Sequence, residues 1–361
     1  MIGENVNIDY LSLRWDGSRL FLLDQKLLPL EEVYFEAKSY QDCFLAIEEM
    51  IVRGAPLIGY TGAFGLTLYL RECLEKDIFS RDKLEEVANY LISSRPTAVN
   101  LKYEVDLLKR LIFEKLDEDV SLSDVYEFSL DHIKMQMSDL GEQNLKMAKQ
   151  VKDYLSKRYG DRPLRFLTLC NTGSLACGPI GTALGAITKM NEDKLVEFVW
   201  ACETRPYLQG SRLTSYELLK ENIEHEIIVE GAAAYLMQEK KVDAVIVGAD
   251  RIVRNGDTAN KIGTQTLSIL ANYFDIPFIV VAPTSSFDLS LDSGTQIEVE
   301  FRDPNEIHSI KGVRISPLKS KAWNPSFDIA SGKLISAISC EKGLISPVNE
   351  NNVTETLGDK K

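Results

Sequence analysis

The chain has 361 residues, of which 45% are hydrophobic and 26% are charged, a composition typical of a globular protein with a large core. Its net charge of −13 argues against nucleic acid as the main partner, because a phosphate backbone requires a basic protein face. No apolar run reaches membrane-spanning length, and the first residues lack the pattern of a secretory signal. We therefore expect a cytoplasmic protein without a membrane partner.

The six cysteines are scattered along the chain and form no C-x-x-C pair. Such spacing suits a reducing compartment and argues against a disulfide framework or a zinc knuckle. None of the three histidines belongs to a metal-binding spacing such as H-E-x-x-H, so we expect no catalytic metal. The P-loop lysine motif, the G-x-G-x-x-G spacing and the G-x-S-x-G elbow are also missing, which argues against nucleotide-binding and serine-hydrolase functions.

The first part of the chain predicts a small β-element followed by helices. The runs YLSLRW and RLFLLD flank Asp16-Gly17, which is typical of a hairpin turn. Apolar residues then recur at helical spacing between residues 40 and 116. The stretch from Ser121 to about Tyr159 predicts a long helical segment with one break near Gly141.

After Arg165 the pattern changes to short apolar runs separated by helical stretches. These runs end near residues 170, 202, 229, 248 and 282. Continuous apolar strands that alternate with helices predict a parallel sheet covered on both faces. We predict an α/β protein with a mainly helical N-terminal domain over residues 1–125 and a Rossmann-like parallel-sheet catalytic domain over residues 126–347. The polar residues 348–361 are expected to form a disordered tail.

Ligands bind beyond the carboxyl ends of the strands in an open parallel sheet, and this rule selects Cys170 with the polar turn Asn171-Thr172-Gly173. If a helix begins at this turn, its free N–H groups can hold a phosphate and lower the pKa of the thiol. The alternative is a buried structural cysteine, which is the commoner fate of a lone cysteine. A polar turn suits the rim of a site better than a core, so we favour a functional Cys170.

Asp250 ends the apolar run VIVGAD, and burial there would raise the pKa of its carboxyl group and allow proton donation near neutral pH. The alternative is a helix N-cap, and Asp250 alone does not decide between the two. The turn Asn255-Gly256-Asp257 leads from there to Asn260 and Lys261. A single lysine is usually a solvated side chain, and this is the ordinary interpretation of Lys261.

Arg53 in VRGAPLIG and Arg95 in SSRPTAVN each stand where a predicted helix stops at Gly or Pro. The simpler interpretation, which the sequence alone favours, is a cation at a helix C-terminus. The other is a pair of guanidinium groups that bind phosphate in a bidentate manner. The segment 203–213, ETRPYLQGSRL, concentrates polar groups at a strand exit, which fits either a sugar or phosphate site or a surface loop.

Together these segments resemble the 5-methylthioribose-1-phosphate isomerases of the methionine salvage pathway. The resemblance extends from about Leu11 to Pro347, which is nearly the whole chain. The matching stretches are RGAPLIG (53–59), RPTAVNL (95–101), CNTGSLA (170–176), ETRPYLQGSRLTSYEL (203–218), GADRIVRNGDTANKIGT (248–264) and, more weakly, IEVEFRDPNEI (297–307).

The resemblance implies an aldose–ketose isomerase that converts methylthioribose 1-phosphate to methylthioribulose 1-phosphate with neither metal nor organic cofactor. It also implies that the protein forms a homodimer and binds a small-molecule sugar phosphate. The family's catalytic cysteine falls on Cys170, and its catalytic aspartate, taken as the proton donor, falls on Asp250. The family's substrate-binding residues fall on Arg53, Gly54, Ala55, Arg95, Gln209, Asn260 and Lys261.

Two positions depart from the family pattern. Leu169 stands where many members carry histidine, which removes one group that could tune the thiol of Cys170. Phe301 replaces the second of two consecutive acidic residues, and we expect this change to affect only local packing or the polarity of the rim.

We interpret the reaction as proton transfer by Cys170 and Asp250, with a direct hydride shift from C2 to C1 as the rival. Two other functions stay open. A ribose-1,5-bisphosphate isomerase needs a second anion site for the C5 phosphate, and a non-catalytic regulatory subunit of the translation-initiation exchange factor would lose the thiol and the carboxylate. This chain carries both Cys170 and Asp250, which favours an enzyme.

Overall fold

The computed structural model describes residues 7–96 and 98–358. The chain divides into two compact units, of which the first comprises Met1–Glu142 and Ser174–Pro179 and the second comprises Gln143–Gly173 and Ile180–Lys361. This division lies C-terminal to the boundary predicted at residue 125. Within the described residues, no helix is both long enough and apolar enough to cross a membrane.

The first unit contains a four-stranded antiparallel sheet. Its strands, which pair in chain order, are β1 (Asn7–Asp9), β2 (Leu13–Asp16), β3 (Leu20–Leu23) and β4 (Tyr34–Ala37). The hairpin predicted at Asp16-Gly17 is confirmed, because β2 and β3 pair antiparallel with Trp15 opposite Leu20. Trp15 is buried, and its ring centre lies 5.5 Å from that of Phe64 in the helical part of the same core.

Helices form the rest of the first unit, and the boundary between the units falls within the fifth of them. They are α1 (Tyr40–Glu48), α2 (Ala55–Lys76), α3 (Arg81–Ser93), α4 (Val99–Asp117), α5 (Leu122–Tyr159) and α6 (Ser174–Cys177). The break predicted near Gly141 was wrong, because α5 is one helix of 38 residues. A glycine inside a helix costs only about 1 kcal/mol relative to alanine, and here it allows close packing: a Cβ at Gly141 would lie 3.3 Å from Cβ of Pro179.

The second unit alternates strands and helices. Its strands are β5 (Leu164–Leu169), β6 (Val196–Glu203), β7 (His225–Val229), β8 (Ala244–Val247), β9 (Arg251–Val253), β10 (Thr258–Lys261), β11 (Phe278–Val281), β12 (Phe287–Asp288), β13 (Ser309–Ile310), β14 (Val313–Arg314), β15 (Phe327–Ala330), β16 (Ala337–Cys340) and β17 (Gly343–Ile345). Its helices after α5 are α7 (Ala183–Glu192), α8 (Ser215–Lys220), α9 (Ala233–Gln238), α10 (Thr264–Tyr273), α11 (Asn305–His308) and α12 (Glu350–Leu357). A π-helical turn, Gly210–Thr214, precedes α8.

Seven strands form the main sheet in the order β17-β16-β11-β8-β5-β6-β7, and every neighbouring pair is parallel except β16 with β17. Numbered along the chain, the six parallel strands have the order 3-2-1-4-5-6, which is an order of doubly wound sheets. This order reverses between β5 and β8. A mixed α/β fold with a parallel sheet is thus confirmed, and the five predicted strand ends lie within one residue of the observed ones.

Both faces of the main sheet are covered. Successive residues of its central strands point to opposite sides and pack in two different hydrophobic clusters. Phe166 and Ile246 pack in the same cluster as Val151 of α5. Leu167 and Val247 pack in the cluster that includes residues of α9, α10 and α12. This double burial is the physical reason that the strands appear in the sequence as continuous apolar runs.

A second, four-stranded sheet with the order β12-β9-β10-β15 was not predicted from the sequence. Its strands β9 and β10 form an antiparallel hairpin around the predicted turn Asn255-Gly256-Asp257. The carboxylate of Asp257 accepts hydrogen bonds from the N–H groups of Gly294 and Gly332, each at 2.9 Å. The turn is therefore anchored to two neighbouring loops.

The C-terminal segment differs from the predicted disordered tail. Residues 350–357 form α12, and the side chain of Asn349 caps it by accepting a hydrogen bond from the N–H of Asn352 at 2.9 Å. Val353 and Leu357 are buried against the second unit's core. Two apolar residues at helical spacing are enough to dock a short helix that is otherwise polar. Residues 359–361 of the predicted tail lie outside the described residues.

Candidate active site

Three of the predicted site residues follow adjacent strands of the main sheet. Asp250 follows β8, Cys170 follows β5 and Gln209 follows β6, and these strands are neighbours in the order β8-β5-β6. The parallel pairing of Phe166 with Ala244 places the carboxyl ends of β5 and β8 at the same edge. Because the strand order reverses between these two strands, this edge is where open α/β sheets bind ligands.

Cys170 is half-buried directly after β5 and has a φ of 65°. This left-handed conformation is uncommon for residues other than glycine, and it persists where the surrounding structure enforces it, as at functional sites. The hydroxyl of Thr214 donates a hydrogen bond to the carbonyl oxygen of Cys170. The thiol therefore lies at a sharp turn on the sheet edge rather than inside a regular strand, which supports the functional interpretation over that of a core cysteine.

The turn after Cys170 packs closely against the loop after β8. The carbonyl oxygen of Thr172 accepts a hydrogen bond from the N–H of Thr182 at 2.8 Å. A Cβ at Gly248 would lie 2.6 Å from Cγ2 of Thr172, so this contact requires glycine. It joins the turn that follows Cys170 to the loop that ends, two residues later, at Asp250.

Glu217 of α8, which the sequence analysis did not single out, contacts the turn after Cys170. Its Oε1 accepts a hydrogen bond from Nδ2 of Asn171 at 2.7 Å, and a Cβ at Gly173 would overlap its carboxylate. The helix predicted to follow this turn begins at Ser174 and has four residues. The N–H groups expected to hold phosphate thus lie beside a buried carboxylate, which is unfavourable for an anion.

Asp250 leads into the β9–β10 hairpin, and its N–H donates a hydrogen bond to the carbonyl oxygen of Ala259 at 2.9 Å. The β9–β10 register pairs Arg251 with Ala259, so Asp250 lies directly before the first paired residue of the hairpin. A strand rather than a helix follows Asp250, so the helix N-cap interpretation does not apply. The residue is exposed, which differs from the burial expected after an apolar run.

Asn260 and Lys261 end β10, and both side chains are buried. Asn260 donates a hydrogen bond from Nδ2 to Oγ1 of Thr264 at 3.0 Å. The Nζ of Lys261 donates to the carbonyl oxygen of Ser326 at 3.0 Å and lies 4.7 Å from the ring centre of Phe327. The ordinary interpretation of Lys261 as a solvated lysine was therefore wrong.

Gln209 precedes the π-helical turn Gly210–Thr214 and is 6% exposed. Among the described residues, no group donates a hydrogen bond to its buried Oε1. A buried acceptor without a donor is unfavourable, and in a native structure it calls for a partner such as a ligand. In the same segment, the guanidinium of Arg205 donates to three carbonyl oxygens at the end of α11, at 2.7 to 3.1 Å, and so has a structural role.

The first unit brings the two arginine motifs to the same end of a helix pair. Arg53 lies two residues before α2 and Arg95 lies four residues before α4, and both are half-buried. A Cβ at Gly59 would lie 3.1 Å from the carbonyl oxygen of Asn100, so the N-terminal turns of α2 and α4 pack side by side. Helix N-termini carry partial positive charge and free N–H groups, which favour an anion. Arg95 also follows the end of α3, so the simpler interpretation holds for it in part.

Gly54 and Ala55 form the start of α2. Gly54 is the N-cap residue with a φ of 89°, and a Cβ there would lie 2.5 Å from Cα of Ala176 in α6. Both the backbone conformation and the close approach therefore require glycine. Ala55 is the first residue of the helix and is exposed, so the helix start that it forms is open to a ligand.

Two carboxyl groups, one beside Asn260 and one beside α2, have raised pKa values. Burial raises the pKa of Asp328, which pairs with Asn260 in the β10–β15 register and accepts a hydrogen bond from the N–H of Gly263 at 2.8 Å. Burial also raises the pKa of Glu104 in α4 to about 7, and its side chain packs against Gly59. Both groups come from segments that the sequence alone did not connect with the site.

The two departures from the family pattern have simple structural settings. Leu169 is fully buried in the core beneath the main sheet, and Phe301 is exposed with its ring centre 5.6 Å from that of Trp323. As for metal binding, no group of three or more His, Cys, Asp or Glu side chains among the described residues is arranged to hold an ion.

Comparison with known proteins gives a consistent result. The model of the Initiation factor 2 subunit family matches residues 51–347. The chain is 42% identical to the methylthioribose-1-phosphate isomerase of Caldicellulosiruptor saccharolyticus, with 94% of this chain and 97% of that protein covered. It is 43% identical to the methylthioribose-1-phosphate isomerase of Thermotoga petrophila, with 96% of this chain and 98% of that protein covered.

Two solved structures are similar over almost the whole chain. The 5-methylthioribose 1-phosphate isomerase from Pyrococcus horikoshii has a TM-score of 0.88 at 35% identity, with 96% of this chain and 95% of that chain covered. The translation initiation factor eIF-2B subunit delta from A. fulgidus has a TM-score of 0.86 at 36% identity, with 96% and 98% covered. Because both structures are similar to the same extent, the fold alone does not distinguish an isomerase from a translation initiation factor subunit. The curated relatives at 42% and 43% identity, which are methylthioribose-1-phosphate isomerases, do distinguish them.

Proposed function

The chain belongs to the Initiation factor 2 subunit family and, within it, to the methylthioribose-1-phosphate isomerases, and from this premise we propose that Cys170 and Asp250 form its catalytic acid/base pair. Its activity is the aldose–ketose isomerisation of 5-methylthioribose 1-phosphate to 5-methylthioribulose 1-phosphate in methionine salvage. One observation carries the assignment of residues: the thiol and the carboxyl group follow neighbouring parallel strands at the point where the strand order reverses.

The substrate sets the chemical problem, because a phosphate on C1 prevents the sugar from opening to a free aldehyde. Protonated Asp250 donates to the ring oxygen while the bond between C1 and that oxygen breaks and its electron pair moves to the oxygen. Cys170, as thiolate, takes the proton from C2, and the electron pair of the C–H bond forms a C1=C2 double bond. A positioned acid and a positioned base contribute roughly 10²–10⁴-fold each.

The second half of the reaction restores both groups. The thiol of Cys170 returns its proton to C1, and the carboxylate of Asp250 takes the proton of the C2 hydroxyl, which leaves the ketone. No external acid, base or oxidant is consumed. Since Asp250 is exposed in this chain, its acid role requires that the bound substrate exclude water from the carboxyl group.

We propose Arg53 and Arg95 as the phosphate ligands, as the resemblance to the family implies. The guanidinium groups of Arg53 and Arg95 suit bidentate binding of a phosphate, and the helix start at Gly54 and Ala55 offers free N–H groups. The buried carboxylate of Glu217 disfavours the alternative of a phosphate held by the turn after Cys170.

We assign the sugar hydroxyls to the polar side chains at the sheet edge. The buried Oε1 of Gln209 suits a hydroxyl donor, because nothing among the described residues donates to it. Asn260 and Lys261 are held by Thr264 and Ser326, so their polar atoms are fixed before the substrate binds. Pre-organised groups of this kind reduce the entropy lost on binding.

Purified protein assayed with 5-methylthioribose 1-phosphate tests the proposed pair. Cys170→Ser and Asp250→Asn should each lower kcat by at least about 10²-fold while circular dichroism shows an intact fold. Cys340→Ala and Asp292→Asn, a buried thiol and an exposed carboxylate elsewhere in the second unit, serve as matched controls and should retain activity. Near-normal activity of either site variant would remove that residue from the mechanism.

Two further assays separate the alternatives. Turnover in deuterated water should place solvent deuterium at C1 of the product to the extent that the thiol of Cys170 exchanges its proton with solvent before returning it, whereas a strict absence of solvent deuterium would favour a hydride shift. Ribose 1,5-bisphosphate should be a much poorer substrate than the methylthio sugar, and equal turnover of the two would favour a bisphosphate isomerase. We also propose a cytoplasmic homodimer with a Rossmann-like second unit, and light scattering at working concentration checks its mass.

A further inference from the structure

Cys170 has a left-handed backbone conformation, which is unfavourable for a residue that carries a Cβ atom. Its φ of 65° crowds Cβ against the backbone, and glycine, asparagine and aspartate adopt such values more often than other residues do. Free of restraint, the residue would relax to a negative φ, and its Cα–Cβ bond would then point in another direction. The position of the sulfur therefore depends on whatever holds the turn in place.

Two buried side chains of the segment 214–217 make that restraint. Thr214 is 1% exposed, and its Oγ1 donates to the carbonyl oxygen of Cys170 and lies 3.4 Å from Nδ2 of Asn171. Glu217 is 6% exposed, and its Oε1 accepts from the same Nδ2 at 2.7 Å. Its carboxylate also fills the space beside Gly173, where a Cβ would overlap it.

The contacts involve three of the four residues 170–173, namely the carbonyl group of Cys170, the side chain of Asn171 and the Cα of Gly173. Both supporting residues come from one short segment, where the π-helical turn passes into α8. A π-helical turn shifts the side chains that follow it relative to a regular helix, and such turns are frequent at functional sites.

We propose that Thr214 and Glu217 are positioning residues that hold Cys170 in its left-handed conformation and so aim its sulfur at the substrate. This inference rests on the proposed role of Cys170 as the catalytic base. Neither residue touches the reacting atoms in this assignment, and both act through other residues of the turn. The restraint should govern the chemical step more than substrate binding, because the phosphate ligands belong to other segments.

Variants at the two positions, studied in the full-length protein, test the proposal. Thr214→Val removes the hydroxyl and keeps the shape, and Glu217→Gln keeps the shape and removes the charge. Each should lower kcat by about 10- to 100-fold with KM within about twofold of the original. Thr214→Ser retains the donor and should restore most of kcat.

A readout that does not need the substrate separates this proposal from the role of Cys170 itself. The rate of Cys170 alkylation by iodoacetamide, followed by peptide mass spectrometry, should rise several-fold in Thr214→Val and Glu217→Gln, because a released turn exposes the half-buried thiol. If Cys170→Ser remains active, the proposed function fails, yet the alkylation rates still report whether the turn is held.

Matched controls make the same chemical changes elsewhere. Thr61→Val removes a buried hydroxyl that donates to the carbonyl oxygen of Leu57 at 2.8 Å, and Glu221→Gln changes an exposed carboxylate just after α8. Both should leave kcat and the alkylation rate unchanged. Unaltered kcat and unaltered alkylation in folded Thr214→Val and Glu217→Gln would overturn the proposal. Should Thr214→Val fail to fold, Glu217→Gln with Thr214→Ser decides the same question.

Discussion

The polar side chains at the amino ends of strands β5 and β8 differ from those at the carboxyl ends in how they are paired. At the amino ends, the buried carboxylate of Asp243 accepts hydrogen bonds from Arg162 at 2.7 Å and from the N–H and Nε of Arg165 at 2.8 and 2.9 Å. At the carboxyl ends, Cys170 has a left-handed backbone and Asp250 is exposed. One edge of the sheet is thus closed by satisfied ion pairs, while the other holds the two proposed catalytic residues, one with an unfavourable backbone conformation and one exposed.

This difference shows how one pair of strands can contribute to stability and to chemistry at once. Ligands of open α/β sheets bind only at the carboxyl edge, so groups at the amino edge are free to be optimised for folding. If groups at the carboxyl edge serve substrate binding, as we propose, strain or missing hydrogen-bond partners are expected there. Substitutions at the two edges should therefore affect stability with different sizes and even different signs.

The amino edge should give the largest effect on stability. Asp243→Asn removes the charge that pairs with Arg162 and Arg165 and should lower the free energy of unfolding by about 3 kcal/mol. Chemical denaturation at neutral pH measures this, and kcat of the folded variant should be unchanged. Asp193→Asn, which breaks an exposed pair with Lys152, is the matched control and should cost less than about 1 kcal/mol.

The pH dependence of this effect has a definite sign. Burial tends to raise the pKa of Asp243, but hydrogen bonds from Arg165 and Arg162 outweigh it and lower the pKa below its usual value of 3.8. A carboxyl group whose pKa is lowered by folding stabilises the protein above its unfolded pKa, and this contribution is lost as the pH falls through the folded pKa. The stability gap between the original protein and Asp243→Asn should therefore shrink below about pH 4. A constant gap would contradict the ion-pair interpretation.

Five of the seven strands of the main sheet could be predicted from the sequence because their signal is local. A strand covered on both faces is a continuous apolar run, and polar residues mark its end, so the predicted ends agree with the structure to one residue. The helix over Gly141 and the C-terminal α12 could not be predicted in this way. One depends on a contact with Pro179 and the other on the burial of Val353 and Leu357 against distant parts of the chain.

The candidate site shows the same distinction between features with a local sequence signal and features that depend on distant contacts. Cys170 and Asp250 could be selected because both stand at strand ends, and the rule for parallel sheets needs no tertiary contact. The burial of Lys261 depends on Ser326, 65 positions away, and the restraint on Cys170 depends on Thr214, 44 positions away. No local sequence pattern indicates such pairs, so the sequence selects the candidate catalytic residues but not the distant residues that contact them.

The close contact between the two reactive loops should give the next largest effect. Gly248→Ala places a Cβ 2.6 Å from Cγ2 of Thr172 and should lower the free energy of unfolding by about 2 kcal/mol. It should also reduce kcat, because the displaced turn carries Cys170. Gly231→Ala is the control, since no atom lies within 4 Å of its Cβ, and its effect should stay within about 0.5 kcal/mol.

A second substitution tests the cause of that effect. Thr172→Ser deletes Cγ2 but keeps the hydroxyl oxygen, which accepts a hydrogen bond from the N–H of Leu184 at 3.1 Å. Combined with Gly248→Ala, it should recover stability, with a coupling free energy of about 1 kcal/mol in a double-mutant cycle. Strict additivity of the two substitutions would show that the loops are not joined at this contact.

The smallest effect should have the opposite sign. Gln209→Met removes a buried amide whose Oε1 receives no hydrogen bond from the described residues, so the free energy of unfolding should rise by about 1 kcal/mol. The same variant should lose kcat/KM, because the amide oxygen is assigned to a sugar hydroxyl. Stability and activity would then change in opposite directions at one residue. This result is expected if the Oε1 of Gln209 receives a hydrogen bond only from the substrate.

Gln150→Met is the matched control, because this glutamine donates to the carbonyl oxygen of Cys340 at 3.0 Å and accepts from the hydroxyl of Ser339 at 2.8 Å. Its loss removes the side-chain donor to the carbonyl oxygen of Cys340, whereas the hydroxyl of Ser339 keeps the carbonyl oxygen of Met147 as an acceptor at 3.0 Å. The free energy of unfolding should fall by about 1 kcal/mol with kcat intact. Equal losses of stability in the two variants would mean that Gln209 is a structural amide. The difference between the two edges of the sheet would then not extend to this residue, and the sugar-binding assignment would lose its main support.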